Sequence, residues 1–401
     1  MANIKGIKVD KFCIELKGEL SNILNYWMKD MRDEERGGYY GRRDHFNQLI
    51  DKAPKGAVLN ARILWTFSAA FRETKEPVYK EYAEIAYQFM LNHFIDKEFG
   101  GIVWEVDYLG NPSNYRKQIY AQGFAIYGFS EYYRITGKDE ALRHAIKLFT
   151  LIEEHSYDPL NGGYIEALDR DWSHLEDVRL SEKDDNLPKS MNTHLHILEP
   201  YTNLYRVWKD ERLERQIQGL IRVFLDHIIN SGTAHFNLFF DMDWTVRSTM
   251  VSYGHDIEGT WLLTEAADEL DDLGLLEEVK AIAIRMTDTT IAEGLDEDGA
   301  IYYEKEGQHL DSDKHWWPQA EAMVGYVNAW QITFNHDYLD LAIIAWQFIK
   351  KRIIDKNNGE WFWRVDRSGN PIDSEDKAGF WKCPYHNSRA CIEIINRLNK
   401  S

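Results

Sequence analysis

A glycine-marked, strand-like hairpin returns along this chain about once every sixty residues, and that spacing constrains the fold before any single side chain is interpreted. The copies are Gly37-Gly38-Tyr39-Tyr40, Gly100-Gly101-Ile102-Val103-Trp104, Gly162-Gly163-Tyr164-Ile165, a degenerate His235-Phe236-Asn237-Leu238-Phe239, Gly299-Ala300-Ile301-Tyr302-Tyr303 and Gly359-Glu360-Trp361-Phe362-Trp363. Measured from Gly38, Gly101, Gly163, His235, Gly299 and Gly359, the steps are 63, 62, 72, 64 and 60 residues. Self-similarity at a fixed period marks a repeat architecture.

Between hairpins, apolar residues recur at three- and four-residue intervals, the signature of helix. Two helices fall in each repeat, twelve in all, beginning with Phe12 to Met31 and ending with Tyr385 to Leu398. Pairs of helices bridged by hairpins predict an all-α, (α/α)6 barrel with six inner and six outer helices, forming a single domain over 1–401. An open superhelical solenoid is the competing layout. Closure is favoured because the last helix carries Cys391, Ile392, Ile394 and Ile395, and neither end reads as a polar cap.

Composition narrows the function. A formal charge of −19 argues against nucleic acid, whose phosphates demand a basic surface. Fourteen tryptophans on so acidic a chain suit a neutral polyol, with C–H faces against rings and hydroxyls against carboxylates. Cys13, Cys383 and Cys391 have no zinc spacing and cannot all pair, which predicts a reduced, cytoplasmic setting. The first residues lack an apolar segment of signal-peptide length, and no membrane span is expected. The expected partner is a small-molecule sugar, with no nucleic acid or membrane partner and the chain a monomer or weak homodimer.

If each hairpin leads from an outer helix to the next inner one, the first turns of all inner helices open at one end of the barrel. Those turns hold Arg62; Tyr120 and Gln122; Asn192, His194 and His196; His255 and Glu258; Trp316, Trp317 and Glu321; then Trp381 and His386. His255 and Glu258, three apart on one helix face, are expected to bond to one another and so raise the imidazole's basicity. His386 opens the last inner helix, and two imidazoles on opposite walls of a pocket are what a two-base proton transfer needs. His194 and His196 point in different directions two residues apart, so only one faces the pocket and no metal site is expected. Glu258 and Glu321 equally suit the acid and nucleophile of a glycoside hydrolase, and a sugar-binding protein without turnover is the third class. The acidic loop Leu168 to Pro188 is a candidate cover for the pocket.

The segments Ala57-Val58-Leu59-Asn60-Ala61-Arg62, Asn192-Thr193-His194-Leu195-His196, Tyr253-Gly254-His255-Asp256-Ile257-Glu258, Lys314-His315-Trp316-Trp317-Pro318-Gln319-Ala320-Glu321 and Trp381-Lys382-Cys383-Pro384-Tyr385-His386 resemble the N-acylglucosamine 2-epimerase superfamily, nearest to its members acting on cellobiose. The resemblance covers nearly the whole chain. It implies a cofactor-independent sugar 2-epimerase with a small-molecule disaccharide substrate, in which His255 and His386 exchange protons with carbon 2. It implies that His196 and Arg62 stabilise oxygen charge, and that Glu258 orients His255 and contacts a hydroxyl. Trp316, Trp317 and Trp381 would wall the sugar rings, with Tyr120, Asn192 and Glu321 as polar contacts. Epimerases of mannose or N-acylglucosamine, and an aldose–ketose isomerase, share the same implied enediolate.

Overall fold

The structure, a computed structural model, describes residues 2–399. Its helices are α1 (Ala2–Lys29), α2 (Ala57–Thr74), α3 (Pro77–Phe89), α4 (Ile119–Thr136), α5 (Asp139–His155), α6 (Met191–Tyr205), α7 (Glu211–Val223), α8 (Tyr253–Glu269), α9 (Leu273–Gly294), α10 (Trp316–Thr333), α11 (His336–Phe348) and α12 (Tyr385–Asn399). The even-numbered helices pack in order, α2 on α4, α4 on α6, α6 on α8, α8 on α10 and α10 on α12, and α12 returns to α2. The ring therefore closes, as an (α/α)6 barrel, and the solenoid is excluded. Each odd-numbered helix lies outside its partner, with α1 against α12.

Burial separates the two layers. Residues 57–70 of α2 and 119–132 of α4 are buried without interruption, as befits helices surrounded by protein on every side. Outer α7 instead buries only the stripe Leu213, Ile217, Leu220 and Ile221. The first helix begins ten residues before the expected Phe12, since its start lacks the dense apolar stripe that made the rest legible. Three outer helices close in a π-helical turn, Met90–Phe94, Phe224–Ile228 and Ile349–Ile353.

Each strand-like hairpin is pinned by a single-residue bridge: Arg32 to Tyr39, Ile95 to Ile102, Tyr157 to Tyr164, Ile229 to Phe236, Leu295 to Ile301 and Ile354 to Trp361. Further ladders run between repeats. The residues just before α2, α4, α6, α8 and α10 pair with the following repeat's hairpin, and Ala378, before α12, pairs with Arg43 of the first. This belt closes the ring a second time.

One ion pair recurs beneath the belt. Lys55, Lys117, Lys189, Lys314 and Lys377 reach Asp33, Asp96, Asp158, Asp296 and Asp355 at 2.5–2.8 Å. In the first three repeats the ammonium also donates to the first hairpin glycine's carbonyl, and the aspartate's other oxygen accepts turn amides. Both glycines have positive φ, and a side chain on Gly101 or Gly163 would strike Trp172 or Trp244. In the degenerate fourth repeat both partners change together: Asn230 replaces the aspartate and Val251 the lysine.

Replacing Lys55 by methionine leaves Asp33 charged and buried, an expected loss of about 3 kcal/mol in urea unfolding. The pair Asp33→Asn with Lys55→Met, which copies the neutral fourth repeat, should recover most of it. Equal losses in the two variants would count against the ion pair as the cause.

Candidate active site

Helix register decides which side chains reach the barrel axis. Counting from the first residue of each inner helix, Tyr120, Asn192 and Trp317 are second, while Arg62, Phe124, His196, Glu258 and Glu321 are sixth. Positions four apart share a face, so these two sets converge on one axial cavity. The fourth residue points to the hairpin instead. Gln122 clamps the amide and carbonyl of Ile102 at 2.7 and 2.8 Å, and Gln319 does the same to Ile301 at 2.9 and 2.8 Å. His194 is their equivalent: its Nε2 accepts from Tyr164 N at 2.8 Å while Nδ1 donates to Ser190 O at 2.6 Å. Of the closely spaced histidine pair, His196 alone turns to the cavity.

Around that cavity, Arg62 Nη2 donates to Tyr120 Oη at 2.8 Å, with its guanidinium over Phe124 at 4.1 Å and Tyr385 at 4.7 Å. His196 stands 5.0 Å from Tyr120, ring to ring, and its Nδ1 is 3.1 Å from Glu199 Oε2. The two histidines central to proton transfer flank one indole: His255 lies 4.6 Å and His386 5.6 Å from Trp317, centroid to centroid. Trp381, half-buried, adds a wall against Trp104 and Tyr120. Trp316, also expected as a wall, packs 5.0 Å from Trp363 and under Lys382, with its ring edge-on to His386 at 6.3 Å.

The expected bond between His255 and Glu258 is replaced. His255 Nδ1 is 2.8 Å from Ser252 Oγ, and Glu258 Oε1 accepts from Arg389 Nη2 at 2.5 Å, with His386 Nδ1 3.9 Å away. A guanidinium outbids a neutral imidazole for a carboxylate, and the Ser252 hydroxyl sits one turn before His255. His386 Nδ1 instead bonds Glu321 Oε1 at 2.7 Å.

Arg389 is the group that sequence inspection missed. Fully buried, it binds Glu199, Glu258, Glu321 and Tyr385, joining α6, α8, α10 and α12 at the axis. Glu258, Glu321 and His386 bring three ligand-type atoms within 4.8 Å of one another. Arg389 Nη2 contacts both carboxylates, so the cation they share is the guanidinium.

Electrostatics divide the two imidazoles. Burial, then the neighbouring His196, lowers His255 to about 3. Burial, with Arg62 and Arg389, also holds His386 well below its ordinary range. Burial and Glu321 push Glu258 well up, so Glu258 is the carboxyl of this cluster that most favours its protonated form. Buried atoms without protein partners include two donors, Arg62 Nε and Trp316 Nε1, and two acceptors, Asn192 Oδ1 and Glu258 Oε2.

The acidic loop from Leu168 is stapled to its neighbours. Arg116 Nη2 and Gln118 Nε2 hold the Arg179 carbonyl at 3.0 and 2.7 Å, and Arg170 binds Asp96. Its Lys183 and Asp184 act on Glu304 of the fifth hairpin, a carboxyl that burial and Asp311 raise to about 7.

The N-acylglucosamine 2-epimerase (GlcNAc 2-epimerase) family model matches residues 26–390. A cellobiose 2-epimerase of Bacteroides fragilis is 52% identical over 384 residues, 95% of this chain and 98% of that protein. One from Dictyoglomus turgidum is 38% identical, covering 96% and 99%. Among solved structures, cellobiose 2-epimerase from Bacillus thermoamylovorans B4167 superposes with a TM-score of 0.93 at 39% identity, over 97% of this chain and 100% of that one.

Because His194 fills a clamp that glutamine fills in two other repeats, His194→Gln should keep kcat/KM within about threefold, under 1 kcal/mol. His196→Gln, on the cavity side, should cost about a hundredfold or more. Sugar turnover by both variants measures the contrast.

Proposed function

We propose, from the premise that this chain belongs to the N-acylglucosamine 2-epimerase family, that it interconverts glucose and mannose configurations at the reducing end of β-1,4-linked disaccharides such as cellobiose and lactose. The observation that carries this reading is the pair His255 and His386 flanking Trp317 in one axial cavity. Relatives named cellobiose 2-epimerase, matched over nearly their whole length, support the substrate class.

The chemistry follows from the carbon 2 proton, which is acidic only when carbon 1 is a carbonyl. The reducing-end ring opens first: the bond from carbon 1 to the ring oxygen breaks as the anomeric hydroxyl gives up its proton and the ring oxygen gains one. One imidazole then removes the carbon 2 proton, giving a cis-enediolate whose oxygen charge needs donors already in place. We assign that charge to the Arg62 guanidinium, with His196 beside it accepting from a neighbouring hydroxyl. Rotation about C2–C3 offers the other face, and the second imidazole returns a proton there. When His255 removes the proton, His386 returns one to the other face, and turnover in that sense leaves the protonation of the two imidazoles exchanged.

Tyr120, Asn192, Glu258 and Glu321 contact hydroxyls or hold the groups that do, and Trp317 and Trp381 stack on the sugar. The orphan donors and acceptors suit a ligand with hydroxyls on every side. No cofactor or metal enters these steps, so turnover should persist in chelator. Three free, buried cysteines fit a reducing, cytoplasmic setting, and no described helix is long and apolar enough to cross a membrane.

Cellobiose incubated with the protein in deuterated water should give glucosyl-mannose carrying deuterium at carbon 2. Free glucose would indicate hydrolysis, and a ketose product an isomerase; either as the sole product refutes the reading. His255→Ala and His386→Ala should each abolish turnover while sugar affinity stays within about tenfold.

The pH profile tests His255 separately. Its value in the fold lies below the ordinary 6.5, so the neutral, base-competent form persists as pH falls past that point. The acid limb of kcat/KM should therefore lie below pH 6.5, and a limb at or above it would be inconsistent with His255 as the base.

A further inference from the structure

We propose that Arg389 is a positioning residue that fixes the tautomer of two cavity imidazoles at once, His386 through Glu321 and His196 through Glu199. The proposal rests on the epimerase reading of the cavity. One arm of the fork, Nη2, donates to Glu321 Oε1 at 2.7 Å, and the same oxygen takes His386 Nδ1 at 2.7 Å. The other arm, Nη1, binds Glu199 Oε1 directly and also donates to Tyr385 Oη, which donates to that same oxygen. Glu199 Oε2 then takes His196 Nδ1 at 3.1 Å.

The physical sequence has three links. A guanidinium beside a carboxylate favours its ionised form. An ionised carboxylate accepts a proton from Nδ1 and cannot donate one. The imidazole is thereby held with Nε2 unprotonated, free to take a proton from the substrate or to accept a hydrogen bond from one of its hydroxyls. A protonated carboxyl would reverse this: it would donate to Nδ1, move the ring proton to Nε2 and remove the base.

The arms differ in how firmly they are set. Against burial, which pushes it up, Glu199 is drawn down to about 2 by Arg389 and His196. Glu321 remains raised by burial despite Arg389. Glu321 is thus the arm that would protonate if the guanidinium were lost.

A structural need alone does not account for this residue. A buried ionic cluster is seldom more stable than apolar packing of the same volume, and Arg389 is 1% exposed among carboxylates from three helices. The charged or titratable groups facing it are Tyr127 from α4, His196 and Glu199 from α6, Glu258 from α8, Glu321 from α10, and Tyr385 and His386 from α12. Arg62 from α2 acts on the same Glu199 and His386. Trp261 of α8 covers the guanidinium face at 4.7 Å and donates to Glu321 Oε2 at 3.0 Å.

The test compares Arg389→Met and Arg389→Lys in the full chain, using cellobiose kinetics, thermal unfolding and nitrogen NMR of labelled histidines without substrate. For Arg389→Met, kcat should fall about a hundredfold or more with KM changed less than about threefold. Residual activity should show its acid limb at higher pH, because Glu321 now protonates there. His386 should shift to the Nε2–H tautomer. Arg389→Lys, a point charge that cannot span both carboxylates, should restore about tenfold of kcat and leave one of the two imidazoles in its original tautomer.

A folded Arg389→Met variant with unchanged tautomers and an unchanged pH profile would overturn the proposal, whatever its melting temperature. Should Arg389→Met fail to fold, Arg389→Lys decides: both tautomers retained would overturn it equally. Failure of the parent protein to epimerise cellobiose would instead refute the substrate reading, while the tautomer measurement, which needs no sugar, still judges Arg389.

Discussion

A ring of inner helices that closes on itself has an interior without a sideways exit, so every polar group placed on the axis must be satisfied by other axial groups or by ligand. Closure is secured twice, by α12 packing on both α10 and α2 and by the bridge between Ala378 and Arg43. Given that constraint, charges at mid-depth can be kept only in mutual neutralisation. Arg389 with Glu199, Glu258 and Glu321 is that solution, contributed by α12, α6, α8 and α10. Toward the mouth, where the inner helices begin, the demand relaxes and half-buried groups such as Asn192, His255 and Trp381 remain.

The same closure explains how two demands share one short stretch of helix. Each inner helix must hold its own hairpin and also furnish the cavity. A rotation of about 100° per residue separates these tasks, with the fourth residue on the hairpin and the second and sixth on the axis. Gln122, His194, Asp256 and Gln319 serve the hairpins, with Asp256 accepting from Phe236 N at 2.8 Å. The buried lysines finish the job from below, each neutralising the aspartate that shapes the turn.

Much of this was legible in the chain. The sixty-residue period, the helix pairs and the convergence of inner-helix starts follow from glycine spacing and apolar periodicity, and the structure returns them as a closed barrel. Register also separates His196 from His194, since residues two apart cannot share a helix face. What escaped were groups off that register: Glu199 is the ninth residue of α6 and Arg389 the fifth of α12. A signal existed, because a charged residue inside an inner helix, enclosed by protein on every side, demands a partner. Identifying that partner needs the crossing geometry of four helices, which no local pattern encodes. The expected His255 to Glu258 bond failed for the same reason: spacing shows what can meet within a helix, but not which competitor arrives from another. The recurring Lys–Asp pair was visible as an aspartate before each glycine pair and a lysine before the next helix, yet sequence gives no cue that these two meet.

The two imidazoles flanking Trp317 are not equivalent, and that asymmetry bears on direction. His386 is backed by a carboxylate and His255 by a hydroxyl, 2.7 and 2.8 Å from their Nδ1 atoms. A carboxylate stabilises imidazolium far better than a hydroxyl does, so of the two imidazoles His386 is the better placed to carry a proton in passing. Epimerisation moves one proton off carbon 2 to one wall and delivers another from the opposite wall, which inverts the protonation pattern with every turnover. The resting pattern must therefore be restored between cycles. His255 is half-buried at the mouth, whereas His386 is 5% exposed and braced deeper on Glu321. Water reaches the weaker base more readily, so the proton left on His255 has the shorter way out, and the deeper cluster is resupplied beside Glu258, whose carboxyl burial pushes up. Unequal backing thus lets a reaction between two nearly isoenergetic sugars start each cycle from a defined proton position.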